Sequence, residues 1–571
     1  MAPFDEDVTV AVYWPRGCDA TLRSPVRDRP APERSQLPPA ARTGHRCRTR
    51  AVSDILLVTL NARYSHASLG LRYLYANMGA LRQRCEIVEF VIGARTESLA
   101  ERILARQPRI VGFGVYIWNV EETARLVAVL ARIAPEVQLV VGGPEVSHET
   151  ESQQICRDAD FVITGPADVS FAKLCGQLLA GTRPAQRVIA GEAVAPDALE
   201  SPYPFYGDED LRHRIVYVEA SRGCPFRCEF CLSSLDRTAV AFDTGTFLDA
   251  MDRMHARGAR LFKFVDRTFN LKAATGEAIL SFFLERIEAR PDDPPYARFE
   301  LIPDHLPERL RAPISRFPPG TLQFEIGIQT WNPTVQVLIS RRQDNRSAEA
   351  NIAWLRAHTH AHLHVDLIAG LPGEDLQSFA AGFDRLHALG PHEIQIGILK
   401  RLRGAPIARH TESFGMRFNP FPPHNVLATD RLPFATMQRI ARFARYWDLV
   451  ANSGRFRSTL PVLLGLADRR EDADASRPGA RFECFMAFSD WLAVRTDDSA
   501  RLSAENLFEA VHAWLLASRR CDRDAADALL SADYAASGLH GRPAFMRRGL
   551  RGPSGPGAAL KRQARFGRPT R

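Results

Sequence analysis

Lysine is nearly missing from this chain: Lys173, Lys263, Lys272, Lys400 and Lys561 stand against 69 arginines. With abundant alanine, that bias reads more simply as a GC-rich coding sequence than as a function, so the net charge of +8 is weak ground for a nucleic-acid partner. The basic excess gathers at the two ends, in residues 23–34 and from 541 onward, without the interleaved aromatics on which bases would stack. Solvated tails are expected there, and a nucleic-acid partner is not. Long apolar runs are also missing: none approaches the ~20 residues that cross a bilayer, and the start lacks a signal-peptide core. A cytoplasmic protein without a membrane partner is expected. Cysteine is sparse, ten in 571 residues with seven scattered singly, which excludes a disulfide scaffold and suits a reducing compartment.

The other three cysteines stand together. Gly223-Cys224-Pro225-Phe226-Arg227-Cys228-Glu229-Phe230-Cys231 spaces them C-x-x-x-C-x-x-C, with an aromatic before the last. A tetrahedral zinc site would want paired C-x-x-C units, and no second pair exists. A closed [4Fe–4S] cluster takes four thiolates, so three in one loop would leave an iron open to a small chelating molecule. The spacing and its aromatic resemble the signature of radical S-adenosylmethionine (SAM) proteins. That resemblance implies a [4Fe–4S] cluster on Cys224, Cys228 and Cys231, SAM on the open iron, and Phe230 beside the cofactor.

Residues 53–182 alternate apolar strand-like runs (55–60, 86–91, 110–117, 137–141 and 161–163) with helix-like segments. A Rossmann-like doubly wound parallel sheet is predicted, with ligands at the carboxyl ends of its strands. Ser68-Leu69-Gly70-Leu71-Arg72-Tyr73-Leu74, Val111-Gly112-Phe113 and Val140-Val141-Gly142-Gly143-Pro144 resemble the cobalamin-binding domain that precedes many radical SAM enzymes. By that resemblance Gly70, Gly142 and Gly143 approach the flat corrin with bare backbone. Two departures matter. The D-x-H-x-x-G motif is missing, so His66 is not expected on cobalt, and Gly165-Pro166-Ala167-Asp168 replaces the usual Gly-Glu-Gly-Glu. A Rossmann-like unit that binds another nucleotide, or nothing, is the other reading of these residues.

After a linker at 183–213, residues 214–420 repeat six strand–helix units, matching the partial (β/α)6 radical SAM barrel, with the cysteine loop after its first strand. Gly327-Ile328-Gln329-Thr330, Ser340-Arg341-Arg342-Gln343-Asp344 and Asp366-Leu367-Ile368-Ala369-Gly370-Leu371-Pro372 resemble the oxygen-independent coproporphyrinogen oxidase branch. The resemblance implies Gln329 and Asp366 on the ribose hydroxyls of SAM, Arg341 on its carboxylate, and Gly370 beside them. Asp366 could equally end a strand, Gln329 be a satisfied polar group, and Arg341 a helix-end charge. The glycine-rich motif for the SAM amine is replaced by Val265-Asp266-Arg267-Thr268, which leaves Asp266 as a lesser candidate.

Residues 421–518 are predicted mostly α-helical, with amphipathic helices at 437–449 and 482–494. Together with Tyr64-Ser65-His66-Ala67 and Leu399-Lys400-Arg401-Leu402-Arg403-Gly404, they resemble cobalamin-binding radical SAM proteins carrying an uncharacterised helical C-terminal domain. Cys484 reads as a structural thiol or a ligand to an extra cluster. Residues 1–52 are expected to be a disordered Arg/Pro-rich leader, with Val52 as the true start if encoded by GTG, and 519–571 a disordered basic tail. The resemblance implies methyl transfer to an unactivated carbon of an unknown small molecule or peptide, through a 5′-deoxyadenosyl radical. It also implies an electron donor such as flavodoxin or ferredoxin. Rearrangement or cyclisation without methyl transfer, and a cobalamin or redox sensor, are the alternatives.

Overall fold

The computed structural model describes residues 53–466, 477–496, 502–539, 541 and 543–548. The expected leader and the far end of the tail lie outside them. Strands β1 (Ile55–Asn61), β2 (Cys85–Val91), β3 (Ile110–Gly114), β4 (Gln138–Gly142), β5 (Phe161–Thr164) and β6 (Val188–Ala190) form one parallel sheet in the order β2-β1-β3-β4-β5-β6. Every residue of β1 is buried. Ile55 and Leu57 pack into one apolar layer and Leu56, Val58 and Leu60 into the other, which is why β1 reads as a continuous apolar run. The order reverses between β1 and β3, a switch point that opens a crevice at the strand ends.

The expected linker at 183–213 is corrected in part. Its residues 188–190 are the sixth strand, a short edge with no buried residue and hence no apolar run to read. The helix Thr96–Leu104 also went unread; only Leu99, Ala100 and Ile103 face inward.

The second sheet holds β7 (Val216–Val218), β8 (Leu261–Phe264), β9 (Tyr296–Leu301), β10 (Leu322–Gln329), β11 (His362–Ala369) and β12 (Glu393–Ile398), all parallel and in chain order. Right-handed crossovers place every connecting helix on the same side of such a sheet, so the other side lines a lumen. Alternation along the strands shows it. Phe299, Phe324, Val365 and Ile394 are buried in the core, while their neighbours Arg298, Glu325, His364 and Glu393 join one polar network. Arg298 lies 3.3 Å from Glu325, and Glu393 lies 3.1 Å from His362 and 3.8 Å from His364.

The helical region continues this core. Phe443 and Trp447 of the helix Phe434–Trp447 pack on Phe383 of the barrel helix Leu376–Ala388, at ring distances of 5.3 and 4.8 Å. The tail expected from residue 519 is a second correction, because Arg523–Ala536 is a helix with Ala526, Leu530 and Tyr534 buried. Its Asp533 carboxylate accepts the backbone N–H groups of Ser458 and Thr459, both at 2.9 Å.

A buried four-residue knot joins the first sheet to the barrel. The Arg72 guanidinium reaches Glu89 (3.1 Å) and Asp210 (2.7 Å), and that of Arg214 reaches the same two at 2.8 and 2.9 Å. These cations hold Glu89 below the usual carboxylate range against the effect of its burial.

Candidate cofactor-binding site

The cysteine loop leaves the carboxyl end of β7, where barrel chemistry is expected. Its base is pinned twice. Ser221 and Arg222 pair antiparallel with Ala241 and Val240, and the Asp266 carboxylate accepts the Ala220 N–H (2.9 Å) and the Ser221 hydroxyl (2.6 Å). Asp266 is therefore spent on the loop's base, and burial raises its pKa to about 7. Within the loop the Cys224 N–H donates to the Asp236 carbonyl at 2.7 Å and the Cys231 N–H to the Cys228 carbonyl at 3.1 Å.

All three thiols are free; Cys224 is buried, and Cys228 and Cys231 are half-buried. Burial pushes the Cys224 thiol up to about 11 and also raises Cys228, which the Arg341 guanidinium opposes. Sulfurs this dry become thiolates only beside compensating positive charge, which iron supplies. Among the described residues no three His, Cys, Asp or Glu side chains converge as on a single ion; a cubane takes its protein thiolates one per iron. Phe230 turns its ring into the barrel core, so the aromatic of the motif packs the loop down.

Gln329 ends β10 with φ at +67°, a left-handed conformation that costs a non-glycine residue about 1–3 kcal/mol and clusters at functional sites. The register of β10 against β11 shifts between Gly327 and Gln329. A shelf beneath holds the turn: the Thr330 hydroxyl donates to Glu374 at 2.8 Å, and Gln336 donates to the Thr330 carbonyl at 2.8 Å. Asp366, on β11, is buried in the lumen. His364 Nε2 lies 3.2 Å from its Oδ1 but off hydrogen-bond geometry, so that oxygen has no hydrogen-bond partner. A buried acceptor left open is suited to a ligand hydroxyl.

Arg341 and Gly370 each have protein neighbours of their own. The Arg341 guanidinium turns to the cysteine loop, 3.6 Å from Cys228 Sγ, and also donates to Gln343 Oε1 (3.0 Å) and to the Gly327 carbonyl. Gly370, at φ +88°, makes room for the helical region: a Cβ there would stand 2.4 Å from Val426 and 3.2 Å from Met437.

The switch-point crevice of the first sheet is lined by Gly70, Gly112, Gly114, Gly142, Gly143 and Gly165 with Leu71, Tyr116, Val140 and Phe171, and by Asp168 at its edge. Counting its open side, it encloses about 570 Å³. Gly143 has φ +116°, and a Cβ on it would stand 2.5 Å from the Val115 carbonyl oxygen. The floor is thus bare backbone with an apolar wall, a cradle that fits a flat macrocycle. No histidine is among its lining residues. His66 is buried instead between the two units, with Nδ1 hydrogen-bonded to the Tyr217 hydroxyl and its backbone paired with Ile215.

Comparison with known proteins agrees with this division. A B12 binding domain model matches residues 55–175, a Radical SAM superfamily model residues 218–386, and a model for a protein of unknown function (DUF4080) residues 412–552. The chain carries a B12 binding domain followed by a radical SAM domain. It is similar to the cobalamin-dependent radical SAM methyltransferase TokK of Streptomyces tokunonensis, 21% identical over 57% of this chain and 52% of TokK. It also resembles an oxygen-independent coproporphyrinogen III oxidase of Cereibacter sphaeroides, 35% identical over 14% of this chain and 17% of the relative. Among solved structures, the cobalamin-dependent SAM radical enzyme OxsB with aqua-cobalamin bound shares the fold, with a TM-score of 0.55, 14% identity and 84% of each chain covered. The chain spans about half the length, or less, of the curated relatives it matches.

Across these two domains, four residues that sequence reasoning missed organise the site. Glu229, between two triad cysteines, is buried and accepts from Arg409 (2.7 and 2.6 Å), His410 (2.9 Å) and Ser340 (2.6 Å). Those donors hold its carboxyl below the usual range despite burial. Arg222, just before the triad, lies 2.5 Å from Glu219 and 3.3 Å from Asp168 on the rim of the crevice. The Ser147 hydroxyl donates to the Gly143 carbonyl (2.8 Å) and accepts the Gly165 N–H (3.0 Å), tying together the loops after β4 and β5. Glu374, with a pKa raised to about 7 by burial, supports the Gln329 turn. Only Glu229 and Glu374 had a signal, as polar residues inside otherwise explained motifs.

Proposed function

We propose that this chain is a cobalamin-dependent radical SAM enzyme that transfers a methyl group to an unactivated carbon of its substrate, with a one-electron carrier such as flavodoxin or ferredoxin as reductant. The reading rests on one observation: loops at the carboxyl ends of the two sheets meet at two places. Asp168, after β5, pairs with Arg222, after β7. Glu145 and Glu149, after β4, pair with Arg403 (2.9 and 2.7 Å), and Glu149 with Arg401 (2.7 Å), after β12. Since β7 and β12 are the two edges of the open barrel, the glycine crevice is held over the barrel mouth, near the cysteine loop.

Cys224, Cys228 and Cys231 would hold a [4Fe–4S] cluster with one iron left for SAM, Asp366 and Gln329 would orient the ribose, and Gly70, Gly142 and Gly143 would floor the cobalamin. Bound there, these cofactors supply hydrogen-atom abstraction and a transferable methyl group. The chain's own part is alignment and the exclusion of water. Arg341 steadies Cys228 with an N–H aimed at sulfur, Glu229 anchors the loop, and Arg222 fixes the distance between the two sites. Anaerobically reconstituted protein given SAM labelled in its methyl group tests this. The parent should form 5′-deoxyadenosine and label a metabolite or peptide, and Cys224→Ala, Cys228→Ala and Cys231→Ala should form none. Cofactor-loaded parent that never cleaves SAM would favour a sensor, and cleavage with an unlabelled, altered product would favour rearrangement.

A further inference from the structure

We infer that an acidic one-electron carrier protein docks on the outer face of the cysteine loop, against a collar of unpaired arginines. The inference rests on the proposed reading in one respect, that the cluster is reduced in order to act. Arg227, Arg237 and Arg342 are all exposed. Among the described residues none of the three makes a hydrogen bond or an ion pair. Exposed arginines elsewhere are of both kinds, paired as Arg84 is with Asp54 and Arg183 with Asp160 and unpaired as Arg125 and Arg253 are; these three are set apart by their place beside the triad.

Each collar residue is one position from an atom that touches the triad. Arg227 precedes Cys228. Arg237 follows Asp236, whose carbonyl takes the Cys224 N–H. Arg342 follows Arg341, whose guanidinium lies against Cys228 Sγ. None of the acidic groups of the same segments pairs with a collar arginine. Glu229 is turned inward, Asp236 accepts from Thr238, and Asp344 caps the helix Asn345–His358.

The same segment, either side of Arg237, exposes Leu235 and Val240, at 44% and 41%. A small apolar centre with a charged rim is the anatomy of a transient protein interface. A positive rim selects a negatively charged partner and speeds its encounter. The step is a single electron: the reduced carrier loses one, the cluster gains one, and no bond or proton moves. Arg227 is the residue before Cys228, so the path from this face to a ligand sulfur is short.

The test compares two reductants on the full, anaerobically reconstituted chain carrying Arg227→Glu, Arg237→Glu and Arg342→Glu together. Driven by dithionite, 5′-deoxyadenosine formation should stay within about twofold of the parent; driven by reduced flavodoxin at low salt, it should fall about tenfold or more. The salt dependence of the flavodoxin-driven rate should flatten with it. The corresponding triple Arg→Lys variant should keep the parent's rate, separating charge from loop damage. Direct titration of flavodoxin against both variants should show the same order of affinity. A flavodoxin-driven rate and affinity unchanged in the Glu variant would overturn the docking face. Failure of the enzymatic reading is distinct: the loaded parent would not cleave SAM even with dithionite, while the flavodoxin titration would still report the surface.

Discussion

Glu229 and Asp266 are two buried carboxylates on one loop, and their surroundings push them in opposite directions. Glu229 is held low by Arg409, Ser340 and His410 against burial. Its contribution to stability is therefore present above its ordinary value near 4.5 and is lost as pH falls through the lowered one. Glu229→Gln should cost about 2 kcal/mol, remove that acid limb from a denaturation series, and lower the iron retained after reconstitution. Asp266 is raised to about 7, chiefly by burial. Between its ordinary value near 3.8 and 7 the folded chain holds a proton that the unfolded chain releases, so stability falls as pH rises across that window. Asp266→Asn should flatten this slope, visible as a smaller loss of stability between pH 5 and pH 7.5. The motif made these residues easy to notice, but their roles could not be read. Asp266 is 45 positions from Ser221 and Glu229 is 180 from Arg409, and only the fold brings them together. The same limit applies to Arg341 and Gly370, whose residue types fit a ligand while their neighbours, Cys228 and Met437, lie far away in sequence.

The elements were legible where burial is two-sided. β1 announces itself because all seven of its positions are buried, and the long barrel helices through their apolar spacing. β6 and the helix Arg523–Ala536 were missed for opposite reasons. The strand buries no residue, and the helix sits in arginine- and alanine-rich sequence, where three inward apolar residues and a buried aspartate leave little contrast. Asp533 makes that helix consequential, since it caps Ser458 and Thr459 across 75 and 74 positions. Asp533→Ala should cost about 2 kcal/mol by leaving the buried Thr459 N–H and hydroxyl unpaired, and removal of residues 519–571 should cost more; thermal unfolding of the full chain checks both. The loops of the first sheet allow a paired prediction. Gly143→Ala forces a Cβ toward the Val115 carbonyl at a positive φ, costing about 2–3 kcal/mol, and should abolish hydroxocobalamin binding in an absorbance titration. His66→Ala loses the bond to Tyr217 and about 1 kcal/mol, yet should leave the bound spectrum unchanged, because the ring lies outside the crevice.

For the whole molecule the decisive relation is between the two sheets, and no motif carries it. The cysteine spacing and the glycine segments each pointed to a cofactor, but Asp168 with Arg222, and Glu145 and Glu149 with Arg401 and Arg403, are separated by 54 to 258 positions. They were visible only as unexplained charges; Asp168 even stood out as a departure from the expected glycine–acid pattern. The central claim is that these pairs hold the glycine crevice and the cysteine loop on one shared chamber. Electron paramagnetic resonance of the full chain, loaded with both cofactors and carrying cob(II)alamin, tests it most directly. The cobalt signal should relax markedly faster when the cluster is reduced to its paramagnetic state, and the effect should vanish in Cys228→Ala, which retains cobalamin. A cobalt signal that relaxes as an isolated spin, with both sites full and the cluster reduced, would contradict the account.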